Sequence, residues 1–519
     1  MKKILFIISG LLSVACLRAQ EPADALRYSW YTPGATARIQ AVGGAMGSLG
    51  GDITATFVNP AGLAFYKTGD FIFSPSYRFG KTKGTYLNRT ETEKSNKFNW
   101  GATGFVVGTG ANNTSNVRNS SFSLAYNRTA DFNSDILYRG QTNTSSYSQK
   151  YLEEIRNNNI KDGNTLSTGY PFGSSLAFNT YWIDTIGGST NGNFQFQSRA
   201  ANLLATGLLQ QNSIHTTGGI DEMALGFAVN LREKLMVGGS IGLPYLHYRR
   251  EAEFVEADAT SNATNHFNYA MVNETLRTSG IGFNIKAGLI YKPSEYWRLG
   301  LALHSPTFYT LTDRYETSVT ADVENGGVLT DYSKDYTNGE ASQFKYSYTT
   351  PYRAIASISY VLREVQDVRK QKGFLTADVE YVNYKASSFS PATNDDGSGV
   401  SESDRAYLKQ LNKSVDNAYK GTFNLRAGGE LKFTTLMVRL GAAYYGNPYK
   451  NINGEKGSKL NLSGGLGYRN KGIFVDLTYV YAINKDVNFA YRLQNPASYS
   501  GAQIKNTASN IFLTFGVKI

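Results

Sequence analysis

One cysteine, Cys16, stands in 519 residues. A disulfide framework is therefore excluded, and so are a Cys-based metal site and a Cys nucleophile once the chain is cut beyond it. Histidine is almost as scarce, with only His215, His247, His266 and His304. No His or carboxylate cluster has metal-ligand spacing, so no metal or cofactor is expected. Beyond the N-terminus no run of about eighteen consecutive apolar residues occurs, which excludes helical membrane spans. Proline is low at 12. The formal net charge is +11, but Lys and Arg are scattered rather than blocked. Nucleic acid is therefore not expected as a partner.

Met1 to Gln20 reads as a secretory leader. Lys2 and Lys3 form a positive start, and Ile4 to Leu17 is almost wholly apolar. The run is too short for a spanning helix, and Ala19-Gln20 offers a cleavage point before Glu21. A lipoprotein leader ending at Cys16 is the rival, but Leu12 stands one position too early for it. Export to an oxidising compartment suits a mature chain without cysteine.

What the chain has is Tyr (36), Phe (28), Gly (52) and strict alternation. Ile511, Leu513, Phe515, Val517 and Ile519 make one face of the last strand, and Asn510, Phe512, Thr514, Gly516 and Lys518 the other, mixed face. Leu375, Ala377, Val379 and Tyr381 alternate with Thr376, Asp378 and Glu380. Side chains at period two face opposite sides of a sheet. Charge in mid-strand is costly in lipid but tolerable in a wet lumen. Fourteen such segments are expected, at 70–81, 96–108, 119–128, 219–231, 234–249, 279–292, 297–310, 344–361, 373–385, 421–433, 436–447, 458–469, 472–483 and 509–519. The fold class is all-β, a transmembrane antiparallel β-barrel with long outer loops over 70–519. Its last strand resembles the C-terminal strand by which barrel assembly machinery recognises outer-membrane proteins, with Ile519 where a Phe is commonest.

Connections alternate in length. Leu231–Lys234, Thr434-Thr435 and Asn470-Lys471 are tight, whereas Arg128–Gly218, Arg250–Ser279, Pro306–Gln343, Ala386–Lys420 and Asn484–Ser509 are long and polar. Short inner turns and long outer loops mark a barrel in an outer membrane, with lipid and lipopolysaccharide phosphates around it. Within the longest loop, Ser148–Asn157 reads as a helix. Leu203, Leu204, Leu208 and Leu209 read as another.

Residues 21–69 do not alternate. Gly and Ala dominate Gly34–Asp52, and Thr54-Ala55-Thr56-Phe57-Val58 leads into Asn59-Pro60-Ala61-Gly62-Leu63. Here the chain resembles the long-chain fatty-acid outer-membrane transporter family, which includes aromatic-hydrocarbon transporters of the TodX type. The resemblance implies a hatch of residues 21–69 inside the barrel, gated at Asn59, Pro60, Ala61 and Gly62. It also implies passive uptake of hydrophobic small molecules, long-chain fatty acids by default, with sideways exit through the wall. Part of the pattern is shared with barrels that act as shuttles in protein secretion and surface attachment. Pro75 cannot donate to a ladder, so it points to a seam beside the first strands, with Gly101 and Gly104 adding freedom.

Catalysis finds little support. Gly238-Gly239-Ser240-Ile241-Gly242 matches a nucleophile elbow but lies inside an alternating strand rather than at a strand–turn–helix corner. His304-Ser305 precedes Pro306 and reads as a strand end. Asp395-Asp396 reads as a solvated loop.

Overall fold

The alternation written in the sequence becomes two surfaces of one wall. In the computed structural model, which describes residues 22–519 except 33, 111–115, 191–192, 261, 363–371, 393–400 and 451–456, fourteen antiparallel strands close into a barrel. The leader with Cys16, and Asp395-Asp396, lie outside the described residues.

The first strand is Asp70–Phe73 continued by Pro75–Tyr86; the second is Arg89–Trp100 continued by Thr103–Gly108. The third is Val117–Asp131 continued by Ser134–Thr142. Leu208–Leu231, Leu235–Asp258 and Tyr269–Tyr291 are the fourth to sixth. The seventh joins Trp297–His304 to Phe308–Asp322, and the eighth Ser342–Thr349 to Arg353–Leu362. The ninth is Gly373–Asn383 with Ser388–Pro391. Gly421–Phe433, Leu436–Tyr445, Lys459–Asn470, Ile473–Asn488 and Ala502–Lys518 complete the set. The first strand closes on the last, Phe71 opposite Val517 and Tyr77 opposite Ile511.

Closure of the first strand on the last leaves no terminal edge strand, as a hydrocarbon environment demands. Leu440 and Ile281 stand 70% and 69% exposed on the outer face, within a continuous apolar band. Water would disfavour such a band; lipid does not. Asp378, Glu380, Arg439 and Asp476 alternate with it and are buried inside. Tyr291, Tyr296, Trp297 and Tyr468 crowd near the short turns, as an interfacial aromatic belt requires. The turns carry left-handed residues: Arg232 (φ 54) and Glu233 (φ 62), Thr434 (φ 36), and Lys471 (φ 45).

The strands outrun the alternation. The fourth and fifth have 24 residues each and the sixth 23, against the roughly ten that cross a bilayer. Hydrophobic alternation stops where lipid stops, but the ladder continues: Ala252 pairs with Glu274 and Glu256 with Ala270. Much of 250–279 and 306–343, read from sequence as loop, is therefore strand in a tall wall at the long-loop end.

In the longest loop the helix Ser148–Asn157 forms with the expected bounds. The second expected helix does not. Ala200–Leu203 makes a single 3-10 turn, Gly207 takes φ 100, and Leu208 opens the fourth strand opposite Asp258 and Thr142. A ladder on both sides outweighs helix propensity in so short a segment. The loop encloses its own aromatic core, with buried Trp182 stacked on Tyr147 at 5.9 Å.

Glu256 stands on the fifth strand, well above Tyr245, the last lipid-facing aromatic there. It is buried under this loop and accepts hydrogen bonds from Ser146 Oγ, Tyr147 N (3.1 Å) and Gln210 Nε2 (2.7 Å). Burial pushes its carboxyl up to about 7. A raised carboxyl pKa means the folded loop holds a proton that the unfolded loop releases. The stability this contributes is complete below about pH 4.5 and disappears as pH rises through about 7. Amide exchange over Ser146–Asn157, corrected for intrinsic rate, should therefore accelerate between pH 5 and pH 8. Glu256→Gln should flatten that profile; an unchanged slope refutes the assignment.

Candidate functional site

The Gly/Ala-rich segment lies inside the barrel. Small residues let its backbone approach the wall, and hydroxyls of the wall replace the ladder it lacks. Helix Pro22–Ser29 sits toward the long-loop end. Its Leu26 and Tyr28 belong to one buried cluster with Leu408, Leu411 and Val415 of helix Glu402–Ala418. Sequence reasoning missed that second helix. Its signals were Ser401, whose Oγ accepts from Asp404 N at 3.1 Å, and the apolar spacing 408, 411, 415.

The chain then descends toward the short-turn end. Ala37 N donates to Thr514 Oγ1 (2.8 Å), and Thr478 Oγ1 donates to Ala37 O (2.6 Å). Met46 N and Gly47 N both donate to Asp378 Oδ2, at 2.9 and 3.0 Å. Asp52 caps the 3-10 helix Ile53–Phe57 through Thr54 N (3.0 Å) and accepts from Thr36 Oγ1 (2.8 Å). Arg38 joins a buried charge chain. Its Nε lies 3.6 Å from Glu430 Oε2, while Arg439 reaches Glu430 at 2.6 Å and Asp476 at 2.5 Å. Sequence reasoning placed charges in the lumen but not this chain, because linking it needs the register of neighbouring strands.

Asn59 is fully buried and starts the 3-10 helix Pro60–Phe65. Its Oδ1 accepts from Ala61 N at 3.1 Å. Its Nδ2 donates to Gly47 O (2.5 Å), Leu289 O (3.3 Å) and Leu301 O (3.4 Å). One amide thus closes its own turn, ties two parts of the plug together and holds both to the sixth and seventh strands. The wall makes room with glycine. A Cβ on Gly288 would meet Asn59 Oδ1 at 1.8 Å, and one on Gly238 the Pro60 carbonyl carbon at 2.6 Å. The elbow-like Gly238–Gly242 run is thereby explained as a docking groove. Ser240 Oγ donates to Thr56 O at 2.8 Å, and His304 Nε2 contacts Val58 O at 2.8 Å. Ala61 and Gly62 are buried in the same turn.

Pro75 and Gly101 meet at the other region of interest. The first strand breaks at Ser74, the second at Gly101-Ala102, and Gly101 N donates to Ser74 O at 2.7 Å. A Cβ on Gly101 would strike Ala35 O of the plug at 2.4 Å. Gly104 (φ 149) lies past the break, laddered to Ile72 and Ala125. Before the break, over Arg89–Trp100, the described residues show no ladder between the second and third strands. Thr103–Gly108 pairs with Ser121–Tyr126, but Arg89–Trp100 pairs with the first strand alone among the described residues. The third strand above Tyr126 pairs only with the fourth. Side chains bridge the interval. Arg78 Nη1 donates to Asp131 Oδ2 (2.9 Å) and Asn133 O (3.0 Å), and Asn99 Nδ2 donates to Asp131 Oδ2 (3.2 Å). These three bridging residues escaped sequence reasoning, since nothing local marks an unladdered interval. The structure thus joins Pro75 and Gly101, and keeps Asn59–Gly62 apart from them, linked through the plug.

Behind the bridged interval lies a cavity of about 480 Å³. Leu26 and Trp30 of the plug, Arg78, Asn99 and Trp100 beside the break, and Phe132 line it. That volume suits one small organic molecule. No group of three or more metal-ligating side chains occurs among the described residues.

Comparison with known proteins finds its matches in structure. No protein-family model matches the chain, and no curated protein matches it. A FadL homologue of Pseudomonas aeruginosa superposes with TM-score 0.51 at 14% identity, over 94% of this chain and 99% of the other. The P. putida toluene transporter TodX gives 0.50 at 12%, over 94% and 98%. A deltaS2 mutant of the TodX monoaromatic hydrocarbon channel gives 0.52 at 11%, over 93% and 98%. At such identities the likeness is one of fold.

Proposed function

We propose that this chain, which has the fold of the FadL- and TodX-type channels, is an outer-membrane transporter for passive uptake of hydrophobic compounds. Long-chain fatty acids are the default substrate. The carrying observation is the juxtaposition of a cavity, lined in part by the N-terminal segment, with an interval of wall that has no ladder. In this reading a ligand enters at the long-loop end, rests in the cavity and leaves sideways between the second and third strands. Asn59, Pro60, Ala61 and Gly62 act as the gate of the hatch, residues 21–69. Pro75, Gly101 and Gly104 form the seam. Lateral exit suits an apolar solute, which never has to leave a low-dielectric path for water.

The test is mass spectrometry of small molecules retained by the detergent-purified protein, paired with uptake of a hydrophobic probe by cells that express it. Bound lipid-like molecules and faster uptake are expected. A retained secreted protein, with no uptake, would favour a secretion shuttle and overturn the transport reading.

A further inference from the structure

The outer surface of the last two and first two strands changes character within one row of side chains. Up to the row of Tyr481, Ser509, Phe79 and Asn96 it is rich in aromatics, with Tyr77, Phe79, Phe98 and Trp100 exposed. The next two outward rows toward the long-loop end carry lysine. Lys81 stands directly opposite Lys94. One outward position further, Lys83 stands opposite Lys505, which faces Lys485 on its other side. All five lysines are exposed.

Opposite residues of an antiparallel pair lie about 5 Å apart at their Cα atoms, and like charges so placed repel. Nothing in this wall offsets the repulsion. Among the described residues no Asp or Glu stands on the outward face of these four strands, and none pairs with the lysines. Alternation turns Glu91, Glu93 and Asp486 to the inner face, where Glu91 is held by Arg89 and Arg139. The fifth to seventh strands make the contrast. They set Arg249, Arg277 and Arg314 in one outward row, but Glu251 and Glu316 stand in the next, and Glu251 pairs with Arg249.

Height and spacing indicate what neutralises the lysines. They begin where the lipid-facing band ends, at the level of lipid head groups. An ammonium brings three donors and a full charge, which suit phosphate oxygens. Lys485 and Lys94 stand three strand spacings apart, about 14 Å, which is wider than one phosphate. Thr92, Asn96 and Gln503 are exposed beside them and offer hydroxyl and amide partners to a sugar. We infer that this face binds a phosphorylated glycolipid of the outer leaflet, its phosphates among Lys81, Lys83, Lys94, Lys485 and Lys505. Its acyl chains lie below on Tyr77, Phe79 and Phe98. The inference is independent of what the barrel carries.

Lipid A, an acylated disaccharide with a phosphate at each end, is titrated against the full-length protein in detergent micelles. Its dephosphorylated counterpart, phosphatidylglycerol and inorganic phosphate are run beside it, and bound lipid is read by native mass spectrometry. Lipid A should bind at least about tenfold more tightly than the dephosphorylated form. Lys83→Gln with Lys485→Gln and Lys505→Gln should weaken it at least about tenfold, on a barrel shown intact by its heat-dependent gel mobility. Arg277→Gln with Arg314→Gln should leave it within about twofold. Equal binding of the dephosphorylated form overturns the inference. Equal binding of phosphatidylglycerol overturns it in favour of a general anionic surface, and displacement of lipid A by an equal concentration of inorganic phosphate in favour of a free-phosphate site. Unchanged affinity in the triple variant, or an equal loss in the arginine variant, overturns the assignment to these lysines. Uptake of hydrophobic probes is read by none of these arms, so the transport reading stands or falls separately.

Discussion

Cysteines placed at Arg78 and Asp131 and joined by a short bis-maleimide should reduce uptake of a hydrophobic probe to the level of cells lacking the protein. The two residues lie on opposite sides of the only part of the wall where, among the described residues, the second strand has a ladder on one side alone. Their ion pair, 2.9 Å and partly buried, bridges that interval. A covalent bridge in its place forbids the strands to part. The same pair without cross-linker should transport at least as fast as the parent. Partly exposed ion pairs contribute only on the order of 1 kcal/mol, so the barrel keeps its fold without this one. Uptake that persists while mass spectrometry confirms complete cross-linking would refute the side exit.

Asn59→Ala combined with Pro60→Ala should leave assembly intact and raise permeability to small polar solutes several-fold, with altered uptake of hydrophobic probes. Asn59 donates to Gly47, Leu289 and Leu301 and accepts from Ala61. Each such bond is worth about 1 kcal/mol net, and buried partners left unpaired add to the loss. That sum is large for a plug held mostly by side chains, with backbone bonds such as Thr32 N to Thr129 O and Gly34 N to Arg128 O, and small for a barrel held by its ladders. Gly288→Val reaches the same turn from the wall, because its Cβ would stand 1.8 Å from Asn59 Oδ1. Agreement between the two variants would locate the effect in the turn. Normal permeability and uptake in both would show that the motif serves folding alone.

Some of this was legible in the sequence and some was not, for identifiable reasons. Alternation is local, and lipid imposes it on each strand separately, so residues such as Leu375, Asp378 and Val379 declared their faces without knowledge of any neighbour. The closed barrel and its fourteen strands followed from that, as did the helix Ser148–Asn157 from its own spacing. The failure at Leu208 and Leu209 has the same root in reverse. Four leucines made a helical pattern, but hydrogen bonds to Thr142 and Asp258, remote in sequence, drew two of them into a strand.

What only the tertiary structure decided depends on register and on close approach between distant segments. Gly238 and Gly288 looked like ordinary strand glycines until the plug backbone was seen against them. Pro75 and Gly101 each suggested a seam, and only the pairing of the second strand sets an unladdered interval beside them, bridged by Arg78, Asn99 and Asp131. Lys83, Lys485 and Lys505 lie on three separate strands and become neighbours only when those strands align. By itself the sequence determined which side of the wall each residue faces, because the environment acts residue by residue. The structure decided which residues meet, because meeting is a property of pairs that no single strand contains.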